Sequence, residues 1–182
     1  MPRSQRAALG GPLIDSSAAF PTGVVCIVSI MKFLKRSVIA APAEVVFGFH
    51  EAPDAFERLQ PPWQKTQIIR PPSSLEVGTV VELRVKVGPL WQTMVAEHVV
   101  YEPGVRFVDE LRRGPFKSWR HEHLVTCNGD GTSTLTDDIT YELPLGVIGR
   151  AFGGFVARRN LERLFAYRHD VTRRVCETRV AA

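Results

Sequence analysis

The residues best suited to chemistry lie in one short stretch, residues 119–124, which reads Trp-Arg-His-Glu-His-Leu. Successive side chains of an extended strand point to opposite faces of a sheet. Trp119, His121 and His123 therefore share one face, and the tryptophan indicates that this face points inward. Two imidazoles at this spacing can contact a polar group of a ligand, transfer a proton or bind a metal ion.

A metal ion requires a third protein ligand and, for catalysis, an open coordination position. The sequence has no further His-x-His pair and no two cysteines at the spacing of metal ligands. We therefore expect no metal and no cofactor at this site. The alternative to a functional role is structural: neutral histidines that hydrogen-bond to neighbouring strands, with Asp137 as a partner.

Two acidic residues follow on the next candidate strand, Asp137 and Asp138, and they alternate faces, so at most one of them points inward. The turn between the strands, Asn-Gly-Asp-Gly at residues 128–131, is a strong hairpin signal. An inward Asp137 beside His123 would form an acid–base pair suited to a cyclase or dehydratase. These two are the candidate catalytic residues, and Asp138 is expected at the surface.

Aromatic and histidine side chains are the candidate walls of a ligand pocket. Most aromatic residues in a domain of this size belong to the core, but a pocket needs apolar walls and a few polar contacts. The candidate ligand-binding residues are Trp91, Trp119, His121, His123, Tyr141, Phe152 and Phe155.

The elements that must position these residues form an α+β pattern. A strand over residues 33–40 precedes two short helices that begin near Pro42 and at Asp54. Six further strands are predicted over residues 66–70, 79–87, 91–101, 106–112, 118–127 and 132–142. Short turns between consecutive strands favour an antiparallel sheet.

A long amphipathic helix is predicted over residues 146–180, which contain no proline and carry apolar residues at steps of mostly three or four. It is the large element able to cover the apolar face of the sheet. Gly149, Gly153 and Gly154 each cost about 1 kcal/mol relative to alanine in a helix. They indicate either a close approach to the sheet or a loosened segment that gates a pocket.

Charge is concentrated on this helix, because residues 146–182 contain eight arginines and three acidic residues within a chain of net charge +4. The surplus is either a solvated face or a surface for a peripheral membrane or an acidic partner through Arg158, Arg159 and Arg163. The arginines lack interleaved aromatics and an RNA-binding motif, so RNA is only a weak candidate partner and no DNA partner is expected.

The length fits one domain, residues 31–182, preceded by a leader, residues 1–30, that we predict to be disordered because it is rich in Ala, Gly, Ser and Pro. The apolar run at residues 24–31 is short and lacks a convincing cleavage site, so it is a poor signal peptide. Three well-separated cysteines fit reduced thiols in a cytoplasmic protein.

The order of elements resembles the helix-grip fold of the SRPBCC superfamily, which includes START lipid-transfer domains, birch-pollen-allergen-like proteins and polyketide cyclases. Residues 114–123 resemble the G-P-F-x-x-W-x-H-x-H segment of one bacterial branch, and residues 136–144 resemble its T-D-x-I-x-Y-x-x-P strand end. Residues 165–169 resemble the motif in its last helix. The resemblance spans about residues 32–178. Members of this branch also occur fused to an epimerase-like domain, whose G-x-G-x-x-G motif after a strand this chain lacks.

The resemblance implies a curved antiparallel sheet of about seven strands that wraps a long C-terminal helix and encloses a largely apolar pocket. It does not identify a ligand, because many functions occur on this scaffold. Our leading hypothesis is binding or transport of a hydrophobic or amphipathic small molecule in this pocket, with an enzyme the less favoured role. The first alternative is a cyclase or dehydratase acting on a polyketide-like substrate. The second is a domain that docks to a membrane or ribosome through its arginine-rich helix.

Overall fold

Seven strands and three helices make up the computed structural model, which describes residues 30–181 and, within them, all side chains except those of Val147, Ile148, Arg150 and Phe152. The predicted leader therefore lies outside the described residues, apart from Ile30. The strands are β1 (Met31–Ile39), β2 (Thr66–Arg70), β3 (Val80–Val87), β4 (Leu90–Glu102), β5 (Arg106–Arg113), β6 (Ser118–Cys127) and β7 (Ser133–Glu142). The helices are α1 (Ala43–Glu51), α2 (Ala55–Arg58) and α3 (Gly146–Ala181).

The strands form one antiparallel sheet in the order β1-β7-β6-β5-β4-β3-β2. Consecutive strands from β2 to β7 are neighbours because short turns join them. Helices α1 and α2 carry the chain from β1, at one edge, to β2 at the other edge. The sheet and the long helix confirm the predicted α+β helix-grip fold, and each strand begins and ends within two residues of its predicted bounds.

Helix α3 packs on β1, β7 and α1. Its fully buried side chains include Phe165, His169, Thr172 and Cys176, which recur at steps of three or four residues. The sheet-facing stripe is therefore apolar towards both ends and polar in the middle. This polar interruption lies against the inner face of the sheet, where the candidate site is found.

The first half of α3 has a different phase from the predicted apolar stripe. Its inward positions are Gly154, Ala157 and Leu161, which are buried or half-buried. Phe155 and Val156 lie between these positions and are 75% and 56% exposed. This corrects the expected placement of Phe155, because about 100° of rotation per residue turns it away from the sheet.

The entry into α3 explains one of the three helix glycines. Leu145 and Gly146 both have positive φ, 65° and 53°, so the chain turns sharply before the helix. A Cβ atom at Gly149 would collide with the carbonyl oxygen of Pro144, whereas one at Gly153 would meet only the Leu143 side chain, at 3.5 Å. Gly149 thus permits a close approach to the preceding turn, and the gating role of Gly153 and Gly154 stays a prediction.

Candidate functional site

The register of β5, β6 and β7 brings four polar residues of the inner face side by side. His121 lies opposite Asp109 on β5, and His123 lies opposite Asp137 on β7. Helix α3 adds His169 from above. Together Asp109, His121, His123, Asp137 and His169 form what we call the histidine–aspartate cluster.

Asp137 is the centre of the cluster. Its Oδ1 accepts a hydrogen bond from His121 Nε2 at 2.8 Å and lies 2.8 Å from His123 Nδ1. Its Oδ2 accepts a hydrogen bond from His169 Nε2 at 2.6 Å. The other nitrogen of that ring lies 2.8 Å from the hydroxyl of Ser37 on β1. One carboxylate therefore joins β6, β7 and α3, and through Ser37 also β1.

Asp109 forms the opposite side of the cluster. Its Oδ2 lies 3.3 Å from His121 Nδ1 and 3.3 Å from His123 Nε2. Its Oδ1 accepts a hydrogen bond from the indole nitrogen of Trp119, also at 3.3 Å. Each of the two imidazoles thus faces Asp137 with one nitrogen and Asp109 with the other.

The cluster has a buried side and an accessible side. The side chains of His121, Asp137 and His169 are 3%, 4% and 2% exposed, whereas those of His123 and Asp109 are 14% and 15% exposed. A ligand that enters from solvent would therefore meet His123 and Asp109 first. We call these two residues the accessible edge of the cluster.

The mutual attraction of these groups determines their charge. Burial by itself would lower the pKa of His121, but Asp109 and Asp137 outweigh burial and raise that pKa to about 9. Burial would raise the pKa of both carboxyls, but the histidines hold each pKa below its ordinary range. At neutral pH both carboxylates are ionised and His121 is an imidazolium.

Aromatic rings fix the orientation of the imidazoles. Phe107 stacks on His123, with centroids 4.0 Å apart and an angle of 11° between the planes. Phe165 of α3 meets the His121 ring edge-on at 5.1 Å. Such contacts restrict the rotamers of buried side chains.

Two more histidines lie near the cluster. The His50 ring centroid is 6.3 Å from that of His123, and its Nδ1 donates to the carbonyl of Val46 at 2.9 Å. Burial lowers the pKa of His50 to about 4 and also lowers the pKa of His98. His98 lies opposite Asp109 in the register, and its Nδ1 is buried without a hydrogen-bond partner among the described residues.

The apolar inner face is less covered beside the accessible edge than under the helix. Leu135 and Ile139 of β7 are fully buried beneath α3. On the same face of β3, β4 and β5, the side chains of Leu83, Met94 and Leu111 are only half-buried. The cluster therefore lies at the boundary between a closed core and a partly open apolar surface.

Most of the pocket residues predicted from sequence lie together. Trp119, His121 and Tyr141 are buried on the inner face, with the two aromatic ring centroids 6.1 Å apart. Trp91 is elsewhere: it lies on the outer face, where the Arg84 guanidinium is 5.6 Å from its ring centroid. This corrects its expected placement. Phe155 is exposed, as described above, and the side chain of Phe152 lies outside the described residues.

Sequence reasoning missed Asp109, His169 and Ser37 as members of the site. Asp109 could have been found from the hairpin between β5 and β6, because one register places it opposite His121. His169 was part of a recognised motif in the last helix, but no local pattern connects it to a strand residue far away along the chain. Asp138 is exposed, as the alternation predicts.

Four arginines of α3 have described partners: two pair with acidic residues of the same helix, and Arg163 and Arg168 contact residues outside it. Arg158 pairs with Glu162 at 3.0 Å, and the Arg163 guanidinium lies 4.3 Å from the centroid of the Trp63 ring. A groove of about 600 Å³ opens on this side of the helix, away from the cluster. It is lined by Arg58, Tyr167, Val171, Arg174, Val175, Thr178 and Arg179. Among residues 30–181, no helix is long and apolar enough to cross a bilayer.

A curved antiparallel sheet gripping a long helix, with polar groups buried between them, defines the helix-grip class of ligand-binding domains. The sequence matches the family of polyketide cyclase / dehydrase and lipid transport proteins over residues 32–177, and the chain belongs to this family. It is thus a member of the SRPBCC superfamily. No curated protein matches the chain in sequence.

Solved structures show the same fold at low sequence identity. The Zhui aromatase/cyclase from Streptomyces sp. R1128 is 18% identical with a TM-score of 0.62, covering 83% of this chain and 96% of its own. A norcoclaurine synthase point mutant from Thalictrum flavum is 12% identical with a TM-score of 0.65, covering 84% and 97%. The protein TTHA0849 from Thermus thermophilus is 16% identical with a TM-score of 0.59, covering 78% and 97%. Identities this low establish the fold and not the activity.

Proposed function

We propose that this domain binds an amphipathic small molecule, with its apolar part on the inner face of β3 to β5 and its polar group at His123 and Asp109. The observation that supports this most strongly is the position of the accessible edge, which adjoins the half-buried side chains of Leu83, Met94 and Leu111. Ligand sites are typically apolar surfaces with a few polar groups that fix orientation. Family membership supports a ligand of this kind.

The test is titration of the tag-free protein with an environment-sensitive fatty acid, dansyl-undecanoate, followed by fluorescence. We expect saturable binding that Met94→Gln weakens at least about threefold, because a buried amide without a partner is unfavourable beside an apolar ligand. Leu34→Gln is the matched control, since Leu34 is exposed on the outer side of β1. Equal affinities of the two variants, or no saturable binding to the wild type, would contradict the proposal.

A second candidate function is proton transfer in a cyclase or dehydratase acting on a polyketide-like substrate. The contact that favours it is His123, which is partly accessible and has Asp137 Oδ1 2.8 Å from its Nδ1. A histidine oriented by a buried carboxylate can accept and return a proton at its other nitrogen, here Nε2, once a substrate group replaces its 3.3 Å contact with Asp109. His123 would be the general acid–base and Asp137 its positioning residue.

Replacement of His123 by glutamine separates the two functions. If the protein only binds its ligand, the variant keeps its affinity for the probe within a fewfold. The wild type then does not convert a linear poly-β-ketone thioester. If the protein is an enzyme, the wild type releases water from that substrate, which mass spectrometry detects. The variant then loses turnover by about 10²-fold or more while it retains binding. Turnover and probe binding are also compared for His121→Gln. This variant shows whether the buried imidazole of His121 acts only by positioning its neighbours.

A peripheral docking role is proposed for the first half of α3, in a protein that we continue to place in the cytoplasm. Phe155 and Val156 are exposed apolar side chains, and Ala157 alone separates them from Arg158 and Arg159; apolar and basic groups together favour an anionic membrane surface. Co-sedimentation with phosphatidylserine vesicles should fall steeply as salt rises, and Arg159→Gln should weaken it. Binding that is insensitive to salt would argue against this role.

A further inference from the structure

The accessible edge and the buried imidazole beside it have the geometry of a metal site. One oxygen or nitrogen atom each of Asp109, His121 and His123 lies within 4.8 Å of the others. Both imidazole nitrogens in this set are 3.3 Å from Asp109 Oδ2. Ligands of a tetrahedral zinc ion, each about 2.0–2.1 Å from the metal, are themselves roughly 3.3 Å apart. Two of the three distances between the candidate ligand atoms therefore already match those of a tetrahedral ion, and the third is at most 4.8 Å.

A second carboxylate is placed as the outer partner of both imidazoles. Histidine ligands of metals usually donate their remaining N–H group to a carboxylate, which fixes the ring and its tautomer. Asp137 Oδ1 lies 2.8 Å from His121 Nε2 and 2.8 Å from His123 Nδ1, and these are the two nitrogens that face away from Asp109. His169 holds the other oxygen of Asp137 at 2.6 Å. Each imidazole therefore directs one nitrogen towards Asp109 and the other towards Asp137, as a metal-binding histidine with a supporting carboxylate does.

The charge and the accessibility of the histidine–aspartate cluster also favour a metal ion. The cluster contains two carboxylates in a largely buried setting, and a divalent cation that displaces the His121 proton would take over the offset of their negative charge. Three protein ligands leave at least one coordination position open. Solvent reaches the cluster at two of these ligands, His123 and Asp109. His98, whose Nδ1 is buried without a partner among the described residues, stands next to Asp109 on the adjacent strand.

We propose that Asp109, His121 and His123 bind a divalent transition-metal ion such as Zn²⁺, with Asp137 as the carboxylate that orients both imidazoles. Two nitrogens and one oxygen suit zinc and its neighbours in the first transition row. The site consists of the protein's own atoms and does not depend on the amphipathic ligand proposed above. A bound ion would place a Lewis acid where that ligand's polar group arrives.

The test uses Co²⁺ as a spectroscopic substitute for zinc in the full-length, tag-free protein. All variants carry Cys127→Ser, which removes an exposed thiol that could bind the probe. After treatment with EDTA and dialysis, the protein is titrated with Co²⁺, and visible absorption and equilibrium dialysis give the geometry and stoichiometry. We expect one equivalent with the intense visible bands of a four- or five-coordinate ion, and displacement by Zn²⁺.

Substitutions of single residues test which side chains bind the ion. Asp109→Asn and His123→Asn should each weaken binding by at least tenfold, whereas the exposed Asp138→Asn on the same hairpin should leave affinity unchanged. The wild-type melting temperature should also rise with Zn²⁺, a readout that needs no variant to fold. Absence of stoichiometric Co²⁺ binding to the wild type would overturn the proposal, as would unchanged affinity in Asp109→Asn. A wild type that binds dansyl-undecanoate but no Co²⁺ would reject the metal site and leave the proposed ligand-binding function standing.

Discussion

His169 Nε2 on the long helix lies 2.6 Å from Asp137 Oδ2 on β7, so the contact of helix with sheet passes through a buried charged hydrogen bond. A purely apolar seam would hold the helix without fixing its rotation, because hydrophobic contacts are non-directional. The His169–Asp137 bond fixes both the rotation of α3 and the orientation of the carboxylate between two imidazoles. The same atoms therefore contribute to the fold and to the site.

Removing the central carboxylate should be costly. Asp137→Ala leaves three imidazoles without their common acceptor in a buried setting, and we expect the free energy of unfolding to fall by about 3 to 5 kcal/mol. The neighbouring Asp138→Ala, at an exposed position, should change it by less than about 0.5 kcal/mol. Urea denaturation in the presence of EDTA measures both. Similar losses in the two variants would mean that the buried contacts contribute little.

Two glycines of the same helix should respond in opposite ways to alanine. Gly149→Ala places a Cβ against the carbonyl oxygen of Pro144 and should destabilise the protein by about 1 to 3 kcal/mol. Gly153→Ala meets only a side chain at ordinary contact distance and should stabilise it by up to about 1 kcal/mol. Thermal melts compare the pair, and a destabilised Gly153→Ala would contradict this account of the helix start. Slower release of dansyl-undecanoate by Gly153→Ala would support gating.

Mild acid should destabilise the protein through His50. Its pKa is lowered from the ordinary 6.5 to about 4, so the unfolded chain binds the proton more readily than the folded protein. The stability due to neutral His50 is full above pH 6.5 and declines as pH falls towards 4. His98 acts in the same direction, whereas His121 is protonated in both states below pH 6.5. His50→Leu should show a shallower decline between pH 6.5 and 5 in urea denaturation, and an unchanged slope would contradict this.

His121 should stay protonated well above neutral pH. Its pKa of about 9 means that its imidazolium stabilises the fold fully below pH 6.5, and that this contribution is lost as pH rises through 9. Heteronuclear NMR of the imidazole signals in EDTA-treated protein measures the titration directly. Replacing Asp109 by asparagine should lower the midpoint, because one of the two carboxylates that raise the pKa is removed. A midpoint near 6.5 in the wild type would contradict the assignment.

Residues 31–182 should fold without the first thirty residues. Strand β1 begins at Met31 and pairs with β7 along its whole length, which supplies the edge of the sheet from within this range. A protein that lacks residues 1–30 should keep the circular dichroism spectrum and lose less than about 1 kcal/mol in unfolding free energy. An unfolded product would show that the predicted leader contributes to the structure.

The sequence by itself determined the elements, because hydrophobic periodicity and turn residues are local properties. The hairpin at residues 128–131 even predicted the pairing of His123 with Asp137, since a short turn fixes the register of the strands beside it. The assignment of Trp91 to the pocket was wrong because the sequence did not show which face of β4 points inward. Both faces of β4 carry apolar side chains, so alternation alone does not say that Met94 points inward and Trp91 outward.

Only the tertiary structure decided how the site is completed. Asp109 reaches His121 from a neighbouring strand, and His169 reaches Asp137 from a helix at the far end of the chain. No local motif reveals the position of Asp109 beside His121 and His123, because sheet register places it there. The protonation states of the cluster also depend on the tertiary structure. A pKa depends on distances between groups that come together only when the sheet packs on the helix.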